Sequence, residues 1–272
     1  MSSSRLPRTA ALVAALGLSG APPGAASDSP ASARQIMQWV EDRDDGDDVT
    51  SDLRMTLIDK RGNERVRRIR SFSKDFGDDE YQLLFFLSPA DVKDTGFLTY
   101  DYDDPDRDED QWLYLPALKK TKRIAAGDKS GSFMGSDFSF SDMTSRELDR
   151  YDFRLMKEAE VHGVPVWQIE AIPRSEEEVD ETGYTKSVLF VRQDNHVVIR
   201  AVHWVEKGGK LKYLDVKALE EIDGVWVSTE IHMTTKKSGA TLHKTILENQ
   251  NVRFNQGLND DLFSVRRLEK GL

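Results

Sequence analysis

The second half of this chain is punctuated at nearly even intervals by two-residue turn signals. His162-Gly163, Asp194-Asn195, Gly208-Gly209, Asp223-Gly224 and Ser238-Gly239 each interrupt a run rich in β-branched and aromatic residues. Pairs of this kind reach the positive φ values that tight hairpin loops demand. The runs between them, 151–161, 164–173, 184–193, 197–206, 211–222, 225–235 and 241–254, are therefore expected to be antiparallel strands. Residues 174–182, with Glu176, Glu177 and Glu178, read as a longer acidic loop.

The first half adds to the same rhythm. Residues 31–42 place Ile36, Met37, Trp39 and Val40 at helical spacing, which predicts a short amphipathic helix. Residues 49–58 alternate apolar and polar positions, turn at Asp59-Lys60-Arg61-Gly62-Asn63, and return over 64–73. The unbroken run Leu83-Leu84-Phe85-Phe86-Leu87 suits a strand covered on both faces. Ser88-Pro89 reads as a helix start leading through Lys93, residues 97–102 and 112–115 as further strands, and 141–149 as a short helix. A meander of about 11–13 strands has to curl, because strand twist accumulates and one apolar face must be covered. The reading is a mainly β chain forming a single domain over 27–272.

Residues 1–26 read as a targeting signal. Arg5 and Arg8 precede an apolar stretch over 10–18, and Gly24-Ala25-Ala26 offers small residues for cleavage near Ala26. The apolar stretch is shorter than a bilayer requires. The mature protein is thus expected to be exported and periplasmic.

Several function classes fall away. A formal net charge of −10 argues against nucleic-acid binding, which draws on cations. With no cysteine, thiol catalysis, disulfides and Cys-ligated zinc are excluded. His162, His196, His203, His232 and His243 are scattered without metal or triad spacing, so no catalytic residue, metal or cofactor is assigned. The acidic run 101–110 is either a solvated loop or a calcium ligand set, and Pro105 interrupts it.

Attention falls on the stretch from Trp112 to Met143. Trp112 and Tyr114 sit on an apolar strand, and Lys119, Lys120, Lys122 and Arg123 surround a basic turn. Phe133, Met134, Phe138 and Phe140 then occupy a segment whose glycines and serines oppose regular structure. Large apolar side chains on a loop either fill the mouth of a barrel or form part of a site. The hollow of a curled sheet can be packed solid or left open for an apolar ligand.

These residues also carry a resemblance. Trp112-x-Tyr114-x-Pro116, Lys119, Lys120 and Arg123, then Ser132-Phe133-x-Gly135-Ser136-Asp137-Phe138 with Phe140 and Asp142, resemble the LolA-like outer membrane lipoprotein-sorting family. Asn259-Asp260-Asp261-Leu262-Phe263-Ser264-Val265 is similar to that family's end. The resemblance implies an incomplete, unclosed antiparallel barrel whose concave side is covered by short helices. It further implies a noncatalytic periplasmic carrier of lipid or lipoprotein acyl chains, in transient contact with membranes, with an inner-membrane transporter of the RND superfamily as partner. Trp112, Tyr114, Phe133, Met134 and Phe138, then Trp167 and Trp204, are the expected lipid contacts. Lys119, Lys120, Lys122 and Arg123 are the expected partner contacts, and a docking subunit of an exporter is the alternative to a carrier.

Overall fold

The structure, a computed structural model, describes residues 31–272 apart from Pro105. The expected signal peptide lies outside the described residues. Among them, thirteen strands form one antiparallel sheet with three short α-helices. The strands are β1 (Asp48–Asp59), β2 (Glu64–Phe76), β3 (Asp79–Ser88), β4 (Gly96–Asp101), β5 (Asp110–Leu115), β6 (Lys120–Arg123), β7 (Tyr151–Val161), β8 (Val164–Pro173), β9 (Tyr184–Arg192), β10 (Val198–Val205), β11 (Lys210–Ile222), β12 (Val225–Lys237) and β13 (Ala240–Phe254).

Their order is β6-β5-β4-β3-β2-β1-β13-β12-β11-β10-β9-β8-β7. The first and last strands pair with each other, Leu57 opposite Thr245 and Met55 opposite Leu247. The two edges are consequently β6 and β7, which do not pair, so the barrel is unclosed. Residues 124–150, which run from one edge to the other, contribute most of the cover for the concave face.

Register assigns the faces. Phe97, Leu84 and Leu113 share a face through the β3–β4 and β4–β5 ladders, as do Met233, Leu214, Ala201 and Leu189 through β12 to β9. This concave set packs in one half against Ile124, Phe133 and Phe138 of the connecting segment. In the other half Ile169, Val191 and Trp167 pack against α1 (Ala33–Glu41). Ser32 caps α1 by accepting from the Gln35 amide at 3.2 Å, and Ala33, Ile36 and Met37 form its buried stripe.

The opposite, convex face of β3–β5 is also apolar, and α3 (Val265–Lys270) covers it. Leu83, Phe85, Leu98, Phe263 and Leu268 form that cluster. Gly96 permits the approach, since a Cβ there would sit 2.6 Å from Leu268 Cδ1. Asp48, almost fully buried, accepts from the backbone amides of Gln256, Gly257 and Leu258 and fixes the chain as it leaves β13.

Three local expectations are corrected. Residues 89–94 form a turn rather than a helix, because β3 and β4 pair as far as Phe85 and Gly96 and leave too little chain between them. The segment 141–149 makes two separate 3₁₀ turns, Ser141–Met143 and Leu148–Arg150. The acidic loop contains α2 (Glu176–Thr182), capped by the Ser175 hydroxyl at one end and by Gly183 at φ 74° at the other.

Candidate functional site

Between the concave face, α1 and the segment 137–148 lies an open hollow made of three adjoining chambers. One, of about 290 Å³, is lined by Met37 and Val40 of α1 together with Phe153, Ala171 and Leu189. A second, also about 290 Å³, is bounded by Leu53, Leu84, Leu247 and Met143. The third, about 220 Å³, is bounded by Phe138, Leu189, Val198, Ala201, Leu214 and Met233. Asp142, Thr144, Ser145 and Arg146 stand where the chambers meet. Together the chambers reach the size of ordinary small-ligand sites, and apolar and polar side chains share their walls, with Glu80, Gln82, Thr99 and Asp101 on the second chamber and Glu41 and Asp45 on the first.

Polar groups hold the cover in place. Asp137, buried at 5 % exposure, accepts from the Thr235 hydroxyl at 2.5 Å, the Thr245 hydroxyl at 2.8 Å and His243 Nδ1 at 2.7 Å. Arg67, reaching from β2, donates to the carbonyl of Met134, a residue in the left-handed region at φ 51°. Lys129, at 1 % exposure, is paired with Glu181 of α2 and with Glu109 at 3.0 Å. A buried cation with two carboxylates ties the start of the cover to both sides of the gap, and removal of either partner would leave a buried charge short of its match.

A second polar group lines the junction of the chambers. Asp142 accepts from the Tyr184 hydroxyl at 2.8 Å and lies 3.8 Å from Lys212 Nζ and 3.4 Å from the Arg146 guanidinium. Burial opposes its charge, but Lys212 and then Arg146 more than offset this and hold the carboxyl below its ordinary range. His203 stacks on Tyr184 with centroids 4.6 Å apart, and its Nδ1 lies 2.7 Å from Ser187 Oγ. Burial, reinforced by Arg146, pushes His203 down to about 3, so it is neutral at neutral pH.

The expected lipid contacts separate into different places. Phe138 borders the hollow. Phe133 sits at the centre of the cover, 5.0 Å from the Phe97 ring and 5.6 Å from Phe140, with Met134 beside it. Trp167 is on the concave face but under α1, 5.8 Å from Trp39. Trp112 and Tyr114 lie on the convex face in the α3 cluster. Trp204, one residue from His203, points away from the hollow and carries Lys186 Nζ 4.1 Å from its ring. Of the basic turn, Lys122 pairs with Asp128 at 3.0 Å and Arg123 with Asp110, whereas Lys119 and Lys120 are exposed. Most of the aliphatic lining, Leu189, Ala201, Leu214 and Met233 above all, went unselected by sequence reasoning. Strand parity carried the signal, but aromatic residues stand out more than an alternating Leu or Ala.

Comparison with known proteins places this geometry in a class and then in a family. The architecture is an open LolA-like barrel: a LolA superfamily protein from Nitrosomonas europaea superposes with a TM-score of 0.65 at 18% identity, over 87% of this chain and 99% of that one. A crystal structure from Vibrio parahaemolyticus, described as an outer membrane lipoprotein-sorting protein domain, matches at 32% identity and TM-score 0.78, over 87% of this chain and 98% of that one. A DUF1329 family protein from Desulfovibrio piger matches at 31% identity and TM-score 0.79, over 87% and 97%. Residues 78–270 also match a family model described as uncharacterized protein. No curated protein matches the chain. The chain belongs to the DUF1329 family.

Two expectations follow from the site. Asp137→Ala strands two hydroxyls and an imidazole, which should cost about 3–5 kcal/mol in urea unfolding and speed amide exchange across 132–140. Exchange there at the unaltered rate would show that the carboxylate does not hold the cover. The second concerns pH. Burial, then Asp45, Asp101 and Asp75, push Glu80 up to about 7. Burial, then Asp101 and Glu41, push Glu147 up to about 7, and burial pushes Asp101 up to about 6. The folded state therefore binds more protons than the unfolded one, and this stability is lost as pH rises through 6 and 7. His203 acts oppositely, but only below its ordinary value of 6.5. Stability should fall from pH 6.5 to about 8, and Glu80→Gln should flatten the fall; a slope identical to wild type would remove Glu80 from the linkage.

Proposed function

We propose that this chain is a noncatalytic carrier that shields lipid or lipoprotein acyl chains in its concave hollow while they move between membranes. The observation that supports it most directly is the hollow itself: three adjoining chambers, each with an apolar wall, under a cover made of connections rather than sheet. Each methylene moved from water into such a lining is worth about 0.8 kcal/mol, so eight buried methylenes supply about 6 kcal/mol. The cover is held by side-chain hydrogen bonds at Asp137 and Arg67, which can part without disturbing any strand ladder. The fold shared with a LolA superfamily protein and the sorting-protein description of the Vibrio relative agree with this reading.

Carriage between membranes fits an exported, periplasmic protein, with residues 1–26 as its signal peptide. Among the described residues no helix is long and apolar enough to cross a membrane. An inner-membrane RND-superfamily transporter would supply the cargo, and Lys119 and Lys120, exposed at the β5–β6 turn without an ion pair among the described residues, are the proposed contact. That same turn supports the second reading, a docking subunit of an exporter.

Native mass spectrometry of the purified protein should show a copurifying lipid, and a fluorescent fatty-acid analogue should bind. Leu189 faces two of the chambers, so Leu189→Trp should weaken the analogue by about tenfold or more with the fold retained. Binding that ignores this substitution would locate the ligand elsewhere, and no binding of any amphiphile would sink the carrier. Lys119→Glu with Lys120→Glu should reduce transporter pulldown and leave fatty-acid affinity unchanged; pulldown equal to wild type would remove the turn from the interface.

A further inference from the structure

The concave face is electrically polarised along the strands. On β2 the inward positions run Arg65, Arg67, Ile69, Ser71, Ser73 and Asp75, from cation to anion in one strand. On β11 they run Lys210, Lys212, Leu214 and Val216. The inward positions of β3 and β4 end on Glu80 and Asp101, which face each other across the ladder. Arg65, Arg67, Lys210 and Lys212 thus stand at the end of the concave face formed by the β1–β2, β10–β11 and β12–β13 turns, alongside Asp59 and Asp137, whereas Asp75, Glu80 and Asp101 stand at the other end.

At the first of these ends lies a cleft of about 350 Å³, separate from the chambers already described. Lys210, Lys212 and His243 line it with Ser130, Ser132 and Thr235, of which the Ser132 hydroxyl donates to the Ser136 carbonyl and the Thr235 hydroxyl to Asp137. Two residues apart on one strand face, Lys210 and Lys212 are separated by about 6–7 Å along the backbone, which suits two lysines converging on one oxyanion. Lys212 donates to the Tyr184 hydroxyl at 2.9 Å and lies 3.8 Å from the Asp142 carboxylate, which leaves Lys210 as the cleft lysine whose charge is not already paired among the described residues. The one carboxylate in the lining, Asp137, directs its oxygens into Thr235, Thr245 and His243. Cleft and hollow adjoin: Asp137 lines the first and its chain neighbour Phe138 the second, and Tyr184 of the cleft bonds Asp142 of the hollow.

We propose that this cleft is an oxyanion subsite that seats the phosphate or carboxylate head of an amphiphile whose hydrocarbon tail occupies the hollow. The proposal rests on the carrier reading and gives it a direction: an anionic head is drawn to the lysine rim and repelled from the end that carries Glu80 and Asp101. Cargo without an anionic head loses this anchor and keeps only its tail contacts.

The test is calorimetric titration of the full chain with dodecyl phosphate, dodecyl maltoside and inorganic phosphate, each amphiphile below its aggregation concentration. Dodecyl phosphate should bind about tenfold tighter than dodecyl maltoside, and the gap should narrow with added salt. Lys210→Gln, at a half-exposed site remote from the apolar lining, should cut that gap severalfold and leave dodecyl maltoside unchanged; Lys210→Gln with Lys212→Gln should abolish it. Equal affinities for the two amphiphiles, or a gap indifferent to Lys210, would overturn the subsite and leave the carrier standing. Inorganic phosphate binding as tightly as dodecyl phosphate would make the cleft a free-anion site and overturn the headgroup assignment. Failure of both amphiphiles to bind would instead defeat the carrier reading beneath it.

Discussion

A sheet whose two edge strands never meet must satisfy those edges, and the apolar face between them, with something other than another strand. In this chain β6 and β7 are those edges, and the segment joining them is at once the link across the gap and the cover of the hollow. Its attachment at Lys129 explains why a buried lysine is tolerated there, since Glu109 comes from the β5 side and Glu181 from α2 beside β9. With that bond in place the remaining cover can be irregular, glycine-rich and aromatic. Phe133 and Phe140 then fill part of the concavity while chambers remain on either side of them.

Much of this was legible in the sequence. The turn signals at Gly163, Gly209, Gly224 and Gly239 coincide with the hairpins of β7–β13, and the helix over 31–42 forms with its Ile36 and Met37 stripe buried. The antiparallel, unclosed sheet follows from the meander and the family resemblance together. Missed elements have local causes. Ser175 and Gly183 bracket α2 as ordinary caps, but three successive glutamates drew the eye to charge instead of capping. Ser88-Pro89 looks like a helix start, yet the registry of β3 with β4 left no room for one. Long-range pairing overrode local preference there.

The site was less legible, because the two apolar faces of β3–β5 look alike in one dimension. Trp112 and Tyr114 alternate with Leu113, and only the position of α3 reveals that the aromatic pair belongs to the convex side and the leucine to the concave one. The same ambiguity hid the polarity of β2, whose arginines and terminal aspartate look like scattered charge until the register puts them on one wall. Asp137 stood inside the recognised motif, but its partners come from β12 and β13, about a hundred residues away in sequence.

The pairing of β1 with β13 places the first and last strands beside each other in the middle of the sheet order, far from both free edges. Asp48 stiffens that seam by gripping three consecutive amides of the chain beyond β13. The molecule is therefore built like a bound book: a spine where the first and last strands meet, and two leaves whose fore-edges are joined by a strap instead of a ladder. Swelling to admit a bulkier guest would bend the leaves and slacken the strap, with the spine unmoved.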